Sequence, residues 1–435
     1  MRHKTSAHLC SRARGLLAGL VVVAWAGTAQ GQEADGRPVG PAALRFSGFG
    51  TLGLSHVDAP AGWGFRRELT QSGSGQSWRY DIDTRLGAQV NYSLGSQFEL
   101  VAQVIARKRG AYASLGDAVE WAYASYRPDA DWTLRAGRVN VDAFLMADYR
   151  NVGYGFMMVR PPVELYSQLP TTLDGADVSR SWLVGEVQWR AKLMAGTAHV
   201  GDLQTGKPSR VRAVAGGMVS REEGGLLLRA SVSHARIDLD QTSIRAALTG
   251  LDQLGALPVP AVADQARALR ERLGASNVGA MFWELGVRQE LSDWQWSAEF
   301  VRVSARPVTM DDAAYATLGR RLGDFTPYVG YGRASNSIAP LPVPDWQAPL
   351  TPVVGAAGAA PAQQLGDTVV AALNNARLQQ STWTLGVRWD FHPQAALKLQ
   401  WDHVRVRPSG SALWTGSGGQ GGSADIATAV VDFIF

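Results

Sequence analysis

Five histidines past residue 31 are the first residues to test for chemistry: His56, His199, His234, His392 and His403. A hydrolase needs a nucleophile or a water polarised by a general base within hydrogen-bond reach. The one suggestive pair is Asp402–His403, but neighbours along a strand point to opposite faces, so the two do not cooperate. His392 falls in a tight turn, and no His-Glu-x-x-His spacing offers a metal site. The single cysteine, Cys10, precedes an apolar run and leaves the rest of the chain without thiol or disulfide chemistry. No catalytic residue, metal or cofactor is expected.

The remaining chemistry-bearing residues are charged, and they occur in two settings. Asp142, Asp148, Arg150, Arg160 and Glu164 lie in an irregular segment that contains "VGYGFMMVRPPVELYSQLP", from Val152 to Pro170. This stretch is too apolar for an ordinary solvent loop, and Pro161–Pro162 excludes a central strand or a helix interior. The second setting is alternation. By parity Arg79, Asp81, Asp83 and Arg85 share one face of a strand, Thr133 and Arg135 share a face of another, and Arg388 and Asp390 share a face of a third. A slip of one residue would turn each set to the opposite side.

The elements that must position these residues are strands. In "STWTLGVRWDF" Trp383, Leu385, Val387, Trp389 and Phe391 alternate with polar residues, and "ALKLQWDH" sets Leu397, Leu399 and Trp401 against Lys398, Gln400 and Asp402. The same pattern places strands near 44–55, 79–93, 97–107, 118–127, 131–139, 181–188, 191–200, 209–220, 225–237, 279–290, 294–304, 313–321, 325–334, 381–391, 396–407 and 424–435. Alternation alone does not separate a soluble sandwich from a membrane barrel, but loop lengths do. Tight turns such as "SLGS", "REEG" and "LSD" interleave with long connections near 56–78, 140–180, 238–278, 335–380 and 408–423. That parity predicts an all-β transmembrane antiparallel barrel of about sixteen strands. The weakest turn in this scheme is the sixth-to-seventh, near Trp189–Lys192. Leucines at helical spacing over 243–257, 263–275 and 365–379 predict helices in two of the long loops, packed on one another over the barrel mouth.

Residues 1–31 have the layout of a secretory signal peptide, with Arg2, Lys4, Arg12 and Arg14 before an apolar run from Leu16 to Ala26. A short periplasmic segment, 32–43, is expected to follow, and the barrel is expected over 44–435. The leader holds four of the 42 basic residues and no acid, which leaves 38 basic against 38 acidic residues. The excess positive charge that would suggest nucleic acid therefore disappears on export.

"ATAVVDFIF" alternates to the terminal Phe435 and is expected to close the barrel against "LRFSGFGTLGLS". With the leader and the loop parity, this ending resembles the outer-membrane proteins of Gram-negative bacteria. "LRAGRVNVDAFLMADYRNVGYGFMMVRPPVELY" is similar to a stretch of proteobacterial porin-like proteins. The resemblance implies a passive diffusion channel for small hydrophilic solutes or ions, commonly a homotrimer, with Phe435 read by the barrel-assembly machinery. It also implies that the loop after strand five, 140–180, folds inward. Phe156, Met157, Met158, Leu165 and Leu169 would then pack on the wall, and Asp142, Asp148, Arg150, Arg160 and Glu164 would set a transverse field across the pore. Arg107, Lys108 and Arg109, at an external strand end, are candidates for lipopolysaccharide phosphates. A plugged or structural barrel is the competing class, with an outer-membrane hydrolase behind it.

Overall fold

The computed structural model describes residues 43–435, apart from 70, 74, 76, 110–114, 168–169, 202–207, 239–240, 242–243 and 307. The leader, nearly all of the segment 32–43, and Leu169 lie outside the described residues. The wall strands are β1 (Ala43–Asp58), β2 (Arg85–Leu94), β3 (Phe98–Arg107), β4 (Val119–Tyr126), β5 (Trp132–Asn140), β6 (Thr172–Val184), β7 (Val187–Gly201) and β8 (Pro208–Glu223). They continue as β9 (Leu226–Asp238), β10 (Val278–Glu290), β11 (Trp294–Ala305), β12 (Thr309–Arg320), β13 (Phe325–Asn336), β14 (Leu378–His392), β15 (Ala395–Ser411) and β16 (Gly422–Ile434).

The sheet counts 17 strands, but Ser77–Arg79 and β2 lie in line against β1 and form one interrupted wall strand, which leaves sixteen. Every pairing is antiparallel between neighbours in sequence, and β16 closes the ring on β1 from Phe49↔Ile434 to Asp58↔Asp425. A closed ring leaves no exposed sheet edge.

Side chains alternate across the wall as the sequence demands. On β10 Trp283 and Leu285 face outward and are exposed, whereas Phe282 and Glu284 face inward and are buried. Leu52, Leu100, Leu193, Phe300, Leu385 and Leu399 continue the exposed apolar exterior. Stacked aromatic pairs Phe98–Tyr126, Trp182–Trp189 and Phe325–Trp389 gather beside the short turns. An apolar outer band with an aromatic girdle is the surface of an outer-membrane-type barrel. Among the described residues no helix is long and apolar enough to cross a membrane, a statement that does not bear on strands.

Two expectations are corrected. The sixth-to-seventh turn is at Gly185–Glu186, not at 189–192, and β6 begins at Thr172. Gly185 has φ +65°, a left-handed conformation that glycine adopts without a Cβ clash, so the turn signal stood four residues upstream of where it was sought. The strand expected over 79–93 is broken at 80–84. Consequently Arg79 and Asp81 pair with each other at 2.6 Å on the external side of the break, and Asp83 is buried just before β2. Of the four, Arg79 ends the short outer piece of the interrupted strand, Arg85 begins β2, and Asp81 and Asp83 lie in the break.

The long external connections carry α1 (Arg245–Gly255), α2 (Pro260–Leu273) and α3 (Gln347–Asn375), the last kinked at Gly355. Leu251, Val262, Trp346, Leu350 and Val369 bury one another in an apolar core separate from that of the barrel. The helices thus pack together, as the spacing predicts.

Candidate functional site

The described part of the segment from Val141 to Thr171, between β5 and β6, is irregular apart from a 3-10 turn at Gly153–Gly155 and a turn of helix at Val163–Tyr166. Its apolar side chains Phe144, Met157, Met158 and Leu165 join one buried cluster with the inward-facing wall residues Phe282, Tyr315, Tyr328 and Ile426. The external loop residues Trp63, Phe65 and Trp414 belong to the same cluster. Gly64–Phe65 and Trp414–Thr415 pair as a two-residue ladder that joins the first and last external loops.

Four of the five charged residues in the segment are buried against the wall. Asp142 accepts from Lys192 Nζ at 2.8 Å and from Arg229 Nη1 at 2.7 Å. Burial by itself would raise that carboxyl, but the two cations beside it hold it well below the ordinary range. Arg160 donates to Asp83 at 2.7 and 3.1 Å, to Asp402 at 3.0 Å and to Thr428 at 2.8 Å. Arg150 donates to the carbonyl of Tyr166 at 2.8 Å and lies over its ring. Glu164 accepts from Gln380 Nε2 at 2.8 Å and from the Thr382 hydroxyl. Only Asp148 keeps a half-exposed side chain, 3.8 Å from Arg190.

Of the wall residues, Arg135 faces inward and pairs with Asp177 at 2.7 Å. Arg388 donates to the carbonyls of Tyr154 and Phe156 at 2.7 and 3.0 Å and also pairs with Asp390. Arg107 faces inward onto Glu68 at 2.5 Å, Lys108 pairs with Asp81 at 2.9 Å, and Arg109 donates to the Ile105 carbonyl. Arg107 is therefore engaged inside the barrel and is withdrawn from any lipid-phosphate contact.

Sequence reasoning missed the wall side of these contacts. Lys398 is fully buried, pairs with Asp432 at 2.9 Å, and donates to the carbonyls of Gly153 and Met158 at 2.6 and 2.8 Å. Glu299 accepts from Leu145 N at 3.0 Å and from the Tyr166 hydroxyl at 2.8 Å. Gln400 accepts from Val159 N at 2.8 Å. Lys398, Gln400 and Asp402 were visible as one polar strand face, but what they would meet was not. Glu68, from the first external loop, is a further buried acid: burial would raise it, yet Arg107, Arg67, Arg150 and Arg85 pull it down to about 2.

Glu164 gives a pH prediction. Burial raises its carboxyl above the ordinary range against the two donors from β14. Below the ordinary range the group is neutral in folded and unfolded chains and costs nothing. As pH climbs from there towards the raised value, the folded state holds a proton that the unfolded state has released, and stability falls. The thermal midpoint in detergent is expected to decline over that window and to flatten in Glu164→Gln. Equal slopes in the two proteins would mean that Glu164 is ionised in place.

No family model matches the sequence, and no curated protein does. Solved structures do resemble the chain. The OmpF of Salmonella typhi, in a complex with daunomycin, is 10% identical over 90% of this chain and 97% of its own, with a TM-score of 0.49. The outer membrane channel DcaP of Acinetobacter baumannii is 12% identical over 91% and 98%, with a TM-score of 0.49. OmpT of Vibrio cholerae is 10% identical over 91% and 99%, with a TM-score of 0.47. On its own geometry the chain is a closed barrel of the outer-membrane type: sixteen antiparallel strands, an apolar exterior, and a polar and apolar interior bonded to its own loops.

Proposed function

We propose that the chain is a passive outer-membrane channel for small hydrophilic solutes or ions, narrowed by the inward-folded segment 141–171. The observation that carries this reading is the range of wall strands to which the segment is bonded. Its partners come from β7 and β9 at Asp142, from β11 at Leu145 and Tyr166, from β14 at Glu164, and from β15 and β16 at Arg160. Tyr154 reaches the carbonyl of Pro393 in a short turn at 2.7 Å, so the segment descends towards the end of the barrel opposite the long loops. A strap held at that many points would set a fixed aperture.

The buried members of the charged set then act as anchors. The field across the aperture falls to inward-facing residues that keep some exposure: Asp148, Arg190, Arg135 and Tyr123. A homotrimer, recognition of the Phe435-terminated strand by the assembly machinery, and residence among lipopolysaccharide belong to the same proposal. Hydrolysis does not. Asp402 faces inward to Arg160, whereas His403 pairs with Asp425 at 2.9 Å on the other face.

A second reading is a plugged or structural barrel. The packing of Trp63, Phe65 and Trp414 from the external loops into the cluster of the segment favours it. Single-channel recording of the refolded mature protein in a planar bilayer separates the two readings. Uniform steps are expected, with a reversal potential under a salt gradient whose sign reports whether arginines or carboxylates dominate the aperture. A well-folded barrel that passes no current would leave the plugged reading standing.

A further inference from the structure

Arg85 on β2 and Arg107 on β3 are direct cross-strand partners on the inward face; Arg85 is buried, and the Arg107 side chain is 8% exposed. Like charges placed opposite each other repel, and burial deepens the cost. Arg107 is bonded to Glu68, but Arg85 has no such partner among the described residues. All three guanidinium nitrogens of Arg85 are out of solvent without a hydrogen-bond partner among the described residues, and so is Nε of Arg107. Two further buried arginines approach from the loops. Arg67 lies 3.6 Å from Glu68 and 3.5 Å from Asp83, and Arg150 bonds only to a carbonyl among the described contacts.

The acids nearby are already shared. Glu68 takes Arg107 at 2.5 Å as well as Arg67. Asp83 takes Arg160 at 2.7 Å, Asp432 takes Lys398 at 2.9 Å, and Glu120 takes the amide of Asn151 at 3.0 Å. Glu68, bonded to Arg107 and 3.6 Å from Arg67, also feels the charges of Arg150 and Arg85, and that combined field holds it ionised.

We propose that Arg67, Arg85, Arg107 and Arg150 together bind one small oxyanion inside the barrel, a phosphate, a sulfate or the carboxylate of an organic acid. Guanidinium forks match such groups in a bidentate way, and an oxyanion supplies the acceptors that Arg85 lacks. Because Arg85 and Arg107 face the interior, the anion comes from solution and not from a lipid headgroup. The anion also ties loop to wall, since Arg67 and Arg150 lie on the two inward loops and Arg85 and Arg107 on the strands. This goes beyond the channel reading, because binding does not require that the barrel conduct.

The test is a calorimetric titration of inorganic phosphate into the refolded mature protein in detergent, at an ionic strength fixed with sodium chloride. One saturable site per barrel is expected, weakened at least tenfold in Arg85→Met. Phosphate should also raise the melting midpoint of the wild type above that in matched chloride, and should leave Arg85→Met unmoved. Should Arg85→Met not fold, Arg150→Met makes the same test from the loop side. A folded wild type without saturable phosphate or sulfate binding, or equal binding by wild type and variant, overturns the site. A barrel that conducts without binding phosphate sinks this proposal alone, and one that binds without conducting sinks the channel reading alone.

Discussion

Arg160→Leu is expected to lower the melting midpoint of the barrel and to enlarge and roughen its single-channel current. Arg160 is 4% exposed and is the hub at which Asp83, Asp402 and Thr428 meet. Removing one member of a buried ion pair costs about 3–5 kcal/mol, because the partner charge is left without compensation. Here two carboxylates lose their cation, although Asp83 keeps Arg67 at 3.5 Å. The strain is relieved most readily by movement of the segment away from β15 and β16, and that widens the aperture. Arg160→Leu combined with Asp83→Asn and Asp402→Asn should recover most of the midpoint but not the current, because the anchor remains absent. A variant that melts early yet conducts like the wild type would show that the segment does not set the aperture.

Lys398→Met is the second large effect. The lysine is fully buried, lies 4.7 Å from the Phe156 ring centroid, and bonds at once to Asp432 and to two carbonyls of the segment. Among the described hydrogen bonds Asp432 would keep that from the Thr51 hydroxyl, at 2.5 Å, with the charge of Arg85 as its remaining cation. A loss of about 3–5 kcal/mol is expected from the unpaired carboxylate, read as a lower denaturation midpoint in urea. Asp432→Asn in the same chain should return much of it. Gly153 places the segment hard against this pair, since a Cβ there would meet the Asp432 carboxylate and the Thr51 hydroxyl. Both Lys398→Met, which removes two bonds to the segment, and Gly153→Val, which leaves the ion pair whole, should therefore unseat the segment and change the single-channel current in the same direction. Opposite currents from the two variants would count against a single seating point.

The wall was legible because alternation is a local property. Trp383, Leu385 and Trp401 declared the lipid side, and Lys398, Gln400 and Asp402 the inner side, without knowledge of the neighbouring strand. What was not legible is what depends on who faces whom. Asp142 and Lys192 are 50 residues apart, and Arg160 and Asp402 are 242 apart. Neither pairing has a sequence spacing to find. The segment 140–180 was recognisable by its methionines and prolines, yet its charges were assigned to the pore when three of the five are spent on the wall and Arg150 on the segment itself. A charged residue in an apolar loop reads the same whether it lines a pore or locks a joint. The break at 80–84 was hidden for a related reason. Arg79, Asp81, Asp83 and Arg85 keep perfect alternation through it, so parity alone could not reveal a turn.

The seam between β1 and β16 carries a kinetic consequence. Every other wall pairing joins strands adjacent in sequence, whereas Phe49↔Ile434 joins the two ends of the described chain. Contacts of such long separation carry the largest loop-closure entropy and form late. The open sheet that precedes closure presents two unpaired edges, the sites at which another chain could add. The ladder between Gly64–Phe65 and Trp414–Thr415 spans that seam from outside the sheet. Once formed, it holds the two edges in reach of each other and so shortens the lifetime of the species most prone to aggregate.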